Sequence, residues 1–450
     1  MEYALDPGAL ALLGDLERAG YRAYLVGGCV RDLLRGERPH DWDICTSARP
    51  EEVLALFSGE TVVPTGLRHG TVTVRLEQRP YEVTTFRVDG TYSDGRRPDA
   101  VRFTADLKED LARRDFTINA MAMDAAGRLY DPFGGAEDLK RGLLRCVGDP
   151  SRRFQEDGLR ILRGLRFAAV LGFSLEPETA RSLRQTRDGL RRVAAERIQA
   201  ELSRLLPGPA AGAVLRAFPE VFWVFWPELE PMKGFHQHSP WHSWDVWEHT
   251  LRALEAAPPD LALRLAALLH DVGKPACFTR DRSGNGHFYG HPARSASTAE
   301  EMLRRLRFDH ALQARVVLLV ERHHLDLPPQ ETLLRRRLRQ LGPEAVFQLL
   351  ALQRADTRGQ APEIAAPRLL ELDRAEALAR SILAQHPCLT LKDLAVNGRD
   401  VLALGAAPGP AVGRVLQSLL EQVSEGALPN EREALLSAAR VRVTSPSDSG

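Results

Sequence analysis

Strand-forming patterns in this 450-residue chain are confined to the first 150 residues. Runs rich in β-branched and aromatic residues occur there, whereas apolar residues at helical spacing dominate from about residue 151 to the C-terminus. A chain of this length is also too long for one ordinary hydrophobic core. We therefore predict an α+β protein, with a small mixed sheet and helices at the N-terminus and all-helical domains behind it.

Individual elements can be assigned within the first 150 residues. We predict a helix at about 8–19, a strand over YRAYLV, a helix over CVRDLLRG, a strand over DWDIC and a helix near 50–57. Two further runs, TVTVRL and YEVTTF, have the spacing of a β-hairpin with a turn around Gln78–Pro80.

The helical remainder is interrupted by proline-rich stretches that are typical of joints. They lie at residues 206–209, 226–231 and 359–367. The last ten residues have the composition of a disordered tail. We predict a sheet-containing head, a helical neck, a third domain and a helical tail, at residues 1–150, 151–225, 226–360 and 361–450.

Composition narrows the class of protein. Apolar residues make up 44% of the chain and charged residues 27%, as in soluble globular proteins, and no run of about 20 apolar residues predicts a membrane span. The N-terminus lacks the order of a signal peptide, and the five cysteines form no C-x-x-C pair. We therefore expect a cytoplasmic protein without a disulfide framework; nothing in the sequence specifies an oligomeric state.

The segment LVGGCVRDLLRG runs from a predicted strand through Gly27 and Gly28 into a predicted helix. Glycines at such a joint let a phosphate approach the backbone, and a helix N-terminus favours negative charge. The segment is neither a P-loop nor G-x-G-x-x-G, so the glycine pair alone is weak evidence for phosphate binding and favours an ordinary structural turn.

Two carboxylates, Asp41 and Asp43, follow in the strand-like segment DWDIC. Residues i and i+2 of a strand point to the same face, so both carboxylates project together. Like charges held close are costly unless a cation lies between them, and Mg²⁺ prefers such oxygen ligands. Glu82, on a neighbouring predicted strand, is either a third catalytic acid or a solvent-facing residue. Metal ions held by these acids could support nucleotidyl transfer.

Six segments resemble, in order and spacing, the bacterial class II tRNA nucleotidyltransferase and poly(A) polymerase family. They are LVGGCVRDLLRG, HDWDICTSARPEEV, YEVTTFRVDGTYSDGRRPDAVRF, EDLARRDFTINAMA, YDPFGGAEDL and RFQEDGLRILRGLRFA. The resemblance is dense over residues 20–200 and implies addition of CCA to tRNA from CTP and ATP, in a fold with a catalytic head, a helical neck and a tRNA-binding tail. It implies that Gly28, Arg31 and Arg114 contact the nucleotide and that Asp41 and Asp43 bind Mg²⁺.

In the same resemblance, four residues belong to a nucleotide-selecting helix: Asp157, Arg160, Arg163 and Arg166. Their chemistry agrees, since a carboxylate accepts from the exocyclic amine of cytosine or adenine and repels the carbonyl of uracil or guanine, while arginine donates to the adjacent ring acceptor. Their i, i+3 spacing also fits a solvated Asp/Arg ladder on a helix.

The family contains enzymes that add CCA, CC, A alone or poly(A). The segment TFRVDGTYSDGRRPDAVRF resembles the flexible loop needed for adding A, which argues against a CC-adding enzyme. CCA addition and addition of A alone both remain open at this point. The stretch ERPHDWD lacks the signature of poly(A) polymerases, which makes that alternative less favoured.

Histidines and aspartates form a second constellation in WHSWDVWEHTLRAL, LALRLAALLHDVGK and ALQRADTRG. Imidazoles together with carboxylates suit a divalent cation. The arrangement resembles the HD phosphohydrolase superfamily over about 242–360, which implies a metal held by four ligands; these are His249, His270, Asp271 and Asp356. His291, His323 and His324 are further candidates. The implied activity is that of a phosphatase or cyclic phosphodiesterase; the alternative is a degenerate domain kept for RNA binding.

Two rival functions remain beside nucleotidyl transfer. In one, the protein is mainly a metal phosphohydrolase whose head only binds nucleotide; in the other, it binds RNA without catalysis. The C-terminal segment LAVNGRDVLALGAAPGPAVGRVLQSLLEQV resembles the family's tail, which implies contact with the tRNA backbone, although a plain helical hairpin has the same pattern.

Overall fold

A computed structural model describes residues 3–90, 100–238, 244–360, 362–385 and 387–444. The chain divides into two compact units, Met1–Glu230 with Arg305–Arg307 and Pro231–Arg304 with Phe308–Gly450. The predicted α+β class with an N-terminal mixed sheet is confirmed. The four-domain division is finer than these units and stays a prediction. Within the described residues, none of the helices has the length and apolarity to cross a bilayer.

The first unit is built on a seven-stranded sheet with the order β3-β4-β5-β2-β1-β8-β9. Strands β2 and β5 are parallel, and the other neighbours in this sheet are antiparallel. Two short ladders, β6–β7 and β10–β11, complete the strands of this unit. The strands are β1 (Ala23–Val26), β2 (Asp43–Thr46), β3 (Thr61–Gly66), β4 (Thr71–Leu76), β5 (Arg79–Thr85), β6 (Arg87–Asp89), β7 (Val101–Phe103), β8 (Ala122–Met123), β9 (Leu129–Tyr130), β10 (Leu143–Leu144) and β11 (Ser174–Leu175).

Several helices of this unit begin at a capping side chain, among them the first, fourth, sixth and eighth. Asp6, for example, caps the first helix by accepting a hydrogen bond from the Ala9 amide at 3.0 Å, and Pro7 occupies its first turn. The helices are α1 (Pro7–Arg18), α2 (Gly28–Leu34), α3 (Pro50–Leu56), α4 (Leu107–Ala112), α5 (Gly135–Lys140), α6 (Pro150–Glu156), α7 (Leu159–Leu171), α8 (Pro177–Thr186), α9 (Ala195–Leu205), α10 (Ala211–Ala217) and α11 (Pro219–Phe222).

The predicted hairpin is present, but its turn lies slightly earlier than predicted. Strands β4 and β5 are joined by Glu77 and Gln78, which both have positive φ, 47° and 69°. Residues of this kind rarely adopt positive φ, and the sequence therefore pointed instead to the proline at position 80. Proline 80 lies inside β5.

Two further expectations need correction. Asp41 lies in a bend before β2, which begins at Asp43, so the two aspartates do not share a strand. Strand pairing also continues past residue 150, because β11 pairs in parallel with β10 through Leu143↔Ser174. Two-residue strands are not detectable from periodicity, which explains why β11 was not predicted.

The second unit is helical apart from one two-stranded ladder, β12 (Thr279–Arg280) with β13 (Gly286–His287). Helix α12 packs against α13 and α17, and α13 also packs against α15. The last three helices share a separate apolar cluster that includes Val401, Leu419 and Leu435. The helices are α12 (Val246–Ala256), α13 (Leu261–Leu269), α14 (His291–Arg305), α15 (His310–Arg322), α16 (Glu331–Leu341), α17 (Pro343–Arg358), α18 (Pro362–Ala384), α19 (Gly398–Ala403), α20 (Pro410–Ser424) and α21 (Arg432–Thr444).

Two of the three predicted joints lie between α-helices: residues 206–209 separate α9 from α10, and residues 226–231 lie between α11 and α12. The third is wrong over most of its length, because residues 362–367 of the predicted joint at 359–367 belong to α18, which begins at Pro362 and contains Pro367. The segment interpreted as a flexible loop contains residues 91–99, and the predicted disordered tail contains residues 445–450. Both of these stretches lie outside the described residues.

Candidate active site

Strand register brings two acidic residues together in the first unit. Asp43 on β2 and Glu82 on β5 are direct partners in the parallel ladder. Burial raises the pKa of Asp43 to about 6, and Glu82 and Asp41 add to this effect, while Arg114 opposes it. Asp41 itself is exposed, yet close enough to Asp43 to influence this pKa. These residues form a concentration of negative charge that a cation would relieve.

A cleft of about 870 Å³ surrounds this acidic pair. Its lining is rich in arginine, which suits a triphosphate and an RNA end. Every residue predicted for nucleotide binding lines it, together with two of the three predicted catalytic acids; Asp41 does not. The predicted residues in the lining are Gly27, Gly28, Arg31, Asp43, Glu82, Arg114, Asp157, Arg160, Arg163 and Arg166.

The two glycines at the start of α2 have different roles. Gly27 has φ +77°, and a Cβ atom there would lie 3.0 Å from Arg114 Nη1. A side chain at position 27 would therefore strain the backbone and displace Arg114. Gly28 has ordinary φ, and a Cβ atom there would meet only Arg31 Nη2 at 3.8 Å. The structure thus gives a steric reason for glycine at position 27 but not at position 28.

The predicted selector residues do not lie on one continuous helix. Asp157 ends α6 in an extended conformation, and α7 begins only at Leu159. The intervening Gly158 packs against Gly189, where a Cβ atom would lie 2.8 Å from backbone atoms. Arg160, Arg163 and Arg166 do follow one another on α7. The prediction that Asp157 lies on the same helix as these three arginines was therefore wrong.

Each selector residue has a partner that the sequence analysis missed. Asp157 accepts hydrogen bonds from Arg197 Nη1 and Nη2 at 3.3 and 2.8 Å. The other three pairs are Arg160 with Glu156 at 2.6 Å, Arg163 with Asp115 at 2.7 Å and Arg166 with Glu201 at 2.6 Å. Of these partners, only Glu156 could have been predicted from the sequence, since it lies four residues before Arg160 on the predicted helix. These partners fix the orientation of groups that point into the cleft.

A second cluster lies within the other unit and is centred on Asp271, immediately after α13. Asp271 Oδ2 lies 3.2 Å from His270 Nε2 and 3.5 Å from His249 Nε2. Its Oδ1 atom lies 3.4 Å from His291 Nε2 and 4.0 Å from His323 Nε2. The two oxygens of one buried carboxylate therefore face two different groups of histidines.

Asp356 on α17 closes this cluster, with Oδ1 2.8 Å from His249 Nε2 and 3.6 Å from His270 Nε2. Burial lowers the pKa of His270, but Asp271 and Asp356 outweigh it and raise the pKa to about 10. The carboxylates thus require a positive charge among them. His324 is exposed and contacts His291 edge to face, with ring centroids 5.0 Å apart.

Backbone carbonyls orient three of these histidines. The Nδ1 atoms of His270, His291 and His323 lie 2.8, 2.8 and 2.6 Å from the carbonyl oxygens of Ala267, Phe288 and Val320. Because a carbonyl can only accept, each Nδ1 atom donates and each Nε2 atom faces Asp271. These Nε2 atoms are buried, and among the described residues none of them has a partner in good hydrogen-bond geometry. This is the orientation of imidazoles that bind a metal through Nε2.

Comparison with known proteins identifies the family. Family models match the chain as "Poly A polymerase head domain" at residues 23–145, "Probable RNA and SrmB- binding site of polymerase A" at 172–220 and "tRNA nucleotidyltransferase domain 2 putative" at 293–439. The chain is 36% identical over 437 residues to the CCA-adding enzyme of Levilactobacillus brevis, with 96% of both chains covered. The chain belongs to the CCA-adding enzyme family. Members of this family are tRNA nucleotidyltransferases, as the sequence analysis predicted.

Other CCA-adding enzymes agree in sequence and structure. The enzyme of Geobacillus stearothermophilus is 35% identical over 429 residues, with 95% of both chains covered. The crystal structure of the Bacillus stearothermophilus CCA-adding enzyme in complex with CTP matches with a TM-score of 0.73 and 31% identity, over 97% of this chain and 98% of that chain. The Thermotoga maritima CCA-adding enzyme complexed with tRNA has the same fold, with a TM-score of 0.62 and 21% identity over 96% of this chain and 95% of that chain.

One consequence for stability concerns Asp115, which is buried beneath the cleft. Burial alone would raise the pKa of Asp115, but its ion pair with Arg163 holds the pKa at about 2. We expect Asp115→Asn to lower the free energy of unfolding by about 2 kcal/mol at pH 7. A lowered pKa stabilises the fold above the ordinary value of 3.8, and this contribution is lost as the pH falls towards 2.

Urea unfolding of wild type and Asp115→Asn at several pH values measures this difference. Asp188→Asn is the matched control, because its carboxylate is 68% exposed and pairs with Arg191, three residues away on the surface. A deficit that stayed constant from pH 7 to pH 3 would contradict the electrostatic explanation and point to packing.

Proposed function

We propose that this chain rebuilds the CCA end of tRNA from CTP and ATP without a nucleic-acid template. The observation that carries the proposal is the pairing of Asp43 with Glu82 in a cleft that also contains Asp157 and Arg160. The tRNA 3′-hydroxyl oxygen forms a bond to the α-phosphorus of the nucleotide, and the bond from that phosphorus to pyrophosphate breaks. The hydroxyl proton leaves to solvent or to a carboxylate.

Asp43 and Glu82 in the cleft, with Asp41 near Asp43 but outside the cleft lining, provide the oxygen donors that Mg²⁺ prefers. Asp41 and Asp43 are hard oxygen ligands. Burial is the main cause of the raised pKa of Asp43, and Glu82 and Asp41 add to it while Arg114 opposes it. Asp41 and Asp43 would hold the ion, which when bound favours ionisation of the attacking hydroxyl and offsets charge on pyrophosphate. Glu82 faces Asp43 across the ladder and helps to set the field at that position.

Arginines at the cleft position the triphosphate. Arg31 Nη1 donates to Asn119 Oδ1 at 2.9 Å, and Arg114 Nη2 lies 3.5 Å from Asp110 Oδ2. Both guanidinium groups are thereby oriented before any nucleotide binds, which reduces the cost of ordering them. Gly27 keeps the space beside Arg114 open.

The proposed role of Asp157 in selecting the base can be tested by its effect on nucleotide preference. Because its carboxylate would accept from an exocyclic amine, Asp157→Ala should reduce the preference for CTP over UTP by about 1–3 kcal/mol, or roughly ten- to a hundredfold. Single-nucleotide incorporation with CTP and UTP on the same tRNA measures it. Asp188→Ala, on the neighbouring 187–192 turn, should keep the wild-type preference. Unchanged selectivity in Asp157→Ala would contradict the assignment.

The extent of addition is tested with three tRNA transcripts that end before the first C, after one C and after both. Each receives labelled CTP, ATP or both, and products are resolved to a single nucleotide. We expect all three to be completed to CCA, in line with the CCA-adding relatives. If only the transcript that ends in CC gains one A, the chain is an A-adding enzyme; a long A tail would indicate a poly(A) polymerase.

We propose a second function, metal-dependent hydrolysis of phosphoesters, for the cluster around Asp271. The observation that favours it is that the buried Nε2 atoms of His270, His291 and His323 have no partner in good hydrogen-bond geometry among the described residues. His249, His270, Asp271 and Asp356 would hold a divalent metal, with His291 and His323 on the opposite side of Asp271. When bound, the metal provides an activated water. Lys274, whose Nζ lies 2.7 Å from Asp271 Oδ2, supplies a cation for the phosphate.

The remaining proposals follow the family resemblance. The neck and the C-terminal tail would contact tRNA, and the tail's small apolar cluster around Val401 would keep α19, α20 and α21 together as one module. The four-domain division at residues 150, 225 and 360 is proposed on the same basis.

A further inference from the structure

An aromatic side chain stands at the opening of the cavity beside the second cluster. A cavity of about 440 Å³ is lined by Asp271, Lys274, His291, His324, Asp356 and Tyr289, among others. This volume falls within the range of small-molecule sites. It is larger than a metal ion and one water require, so the cavity has room for more than a phosphate group.

Tyr289 differs from the other aromatic residues of this region in its exposure. Its side chain is 77% exposed, the largest value among the exposed large hydrophobic residues of the described chain. Phe288, by contrast, packs against Phe235 and Phe278, with ring centroids 6.5 and 5.5 Å apart. The phenol ring of Tyr289 lies parallel to the His287 ring, at an interplanar angle of 8° and a centroid distance of 5.4 Å.

The position of this ring relative to the cluster is fixed by its neighbours. Tyr289 lies two residues before His291, which faces Asp271 and begins α14. His287 is held from the other side by Asp281 Oδ2 at 3.0 Å, across the β12–β13 turn. The aromatic face is therefore held at the rim, while the cations and carboxylates lie at the base of the same cavity.

We propose that Tyr289, supported by His287, is a stacking platform for a nucleobase, so that the second site takes nucleoside monophosphates in preference to phosphate esters that lack a base. The phosphate would lie near Lys274 and Asp271, and the base would cover the exposed phenol ring. Every nucleobase has a π-face, so stacking selects for the presence of a base without selecting its identity. This inference rests on the proposed phosphohydrolase function.

The test uses the full chain and two probes, adenosine 3′-monophosphate and glycerol 2-phosphate. Both are phosphomonoesters of a secondary alcohol, but only the first has a base. With Mn²⁺, Co²⁺ or Ni²⁺ added, we expect kcat/KM to favour the nucleotide, and Tyr289→Ala to reduce that preference about tenfold. Tyr289→Phe, which retains the ring, should retain the preference. Tyr130→Ala is the matched control, because Tyr130 is exposed on β9 in the other unit.

A binding measurement separates this inference from the proposed activity. The fluorescence of 2-aminopurine riboside 3′-monophosphate is quenched by stacking and can be titrated with protein in EDTA. Wild type and Tyr289→Ala have the same nucleotidyltransferase head, so stronger quenching by wild type isolates the contribution of Tyr289. Equal quenching overturns the platform. If quenching differs but neither phosphomonoester is hydrolysed with any metal, the platform stands and the phosphohydrolase function fails.

Discussion

Asp43→Asn is expected to abolish CCA addition while the protein remains folded. A neutral amide cannot replace the carboxylate that would hold Mg²⁺, and loss of that contribution corresponds to about 4 kcal/mol or more, a reduction in rate of a thousandfold or more. Burial raises the pKa of Asp43 to about 6, so its negative charge is unfavourable in the metal-free fold. Thermal unfolding in EDTA should therefore show no loss of stability.

Incorporation of labelled CTP and ATP on tRNA lacking CCA measures the loss. Asp15→Asn on α1 is the matched control, because Asp15 is 40% exposed and pairs with Arg18 on the same helix. Full incorporation by Asp43→Asn would show that Asp43 has no catalytic role. Tight tRNA binding without incorporation in the wild type would support the non-enzymatic alternative.

Asp271→Asn should have an equally large effect on the other activity. We expect metal-dependent hydrolysis of phosphomonoesters to fall a hundredfold or more, since Asp271 would bind the metal and its two oxygens face different histidines. CCA addition should be retained. The reverse pattern is expected of Asp43→Asn, so the two variants together distinguish a bifunctional enzyme from a phosphohydrolase whose head only binds nucleotide.

Asp271→Asn also needs a control for its effect on the stability of the fold. Asp271→Asn leaves Lys274 buried without its carboxylate, and breaking such a pair costs about 3–5 kcal/mol. His249→Gln removes one of the proposed metal ligands and leaves the Lys274–Asp271 pair intact. Added Mn²⁺, Co²⁺ or Ni²⁺ should raise the unfolding temperature of wild type and of the surface control Asp373→Asn, but not of either cluster variant. An equal rise in all four proteins would contradict a metal site at Asp271.

The sequence was most informative where chemistry depends on short segments. The glycine pair, the acids and the arginines of the cleft were predicted from contiguous motifs, and the parallel register of β2 and β5 then placed Asp43 opposite Glu82. The strand assignment of Asp41 failed because the strand begins two residues later. Strand limits depend on backbone pairing, which periodicity does not specify.

Partners distant in sequence could not be predicted. Arg197 lies 40 residues from Asp157, and Glu201 lies 35 residues from Arg166. Nothing distinguishes these two residues from other charged positions of a helix until α9 packs against α7. The exposed ring of Tyr289 was likewise hidden, because solvent exposure of an aromatic residue follows from packing and not from its local sequence.

The proposed role of Asp157 and Arg160 in base selection has a consequence for fidelity. Asp157 pairs with Arg197, and Arg160 pairs with Glu156. Under the proposed role, an incoming base competes with one of these internal partners for each group. A base whose hydrogen-bonding edge does not suit Asp157 and Arg160 cannot replace the contacts that it displaces, so the pairs within the protein persist. Fidelity then depends on an exchange of partners, and variants that weaken the internal pairs should accept incorrect nucleotides faster than they lose correct ones.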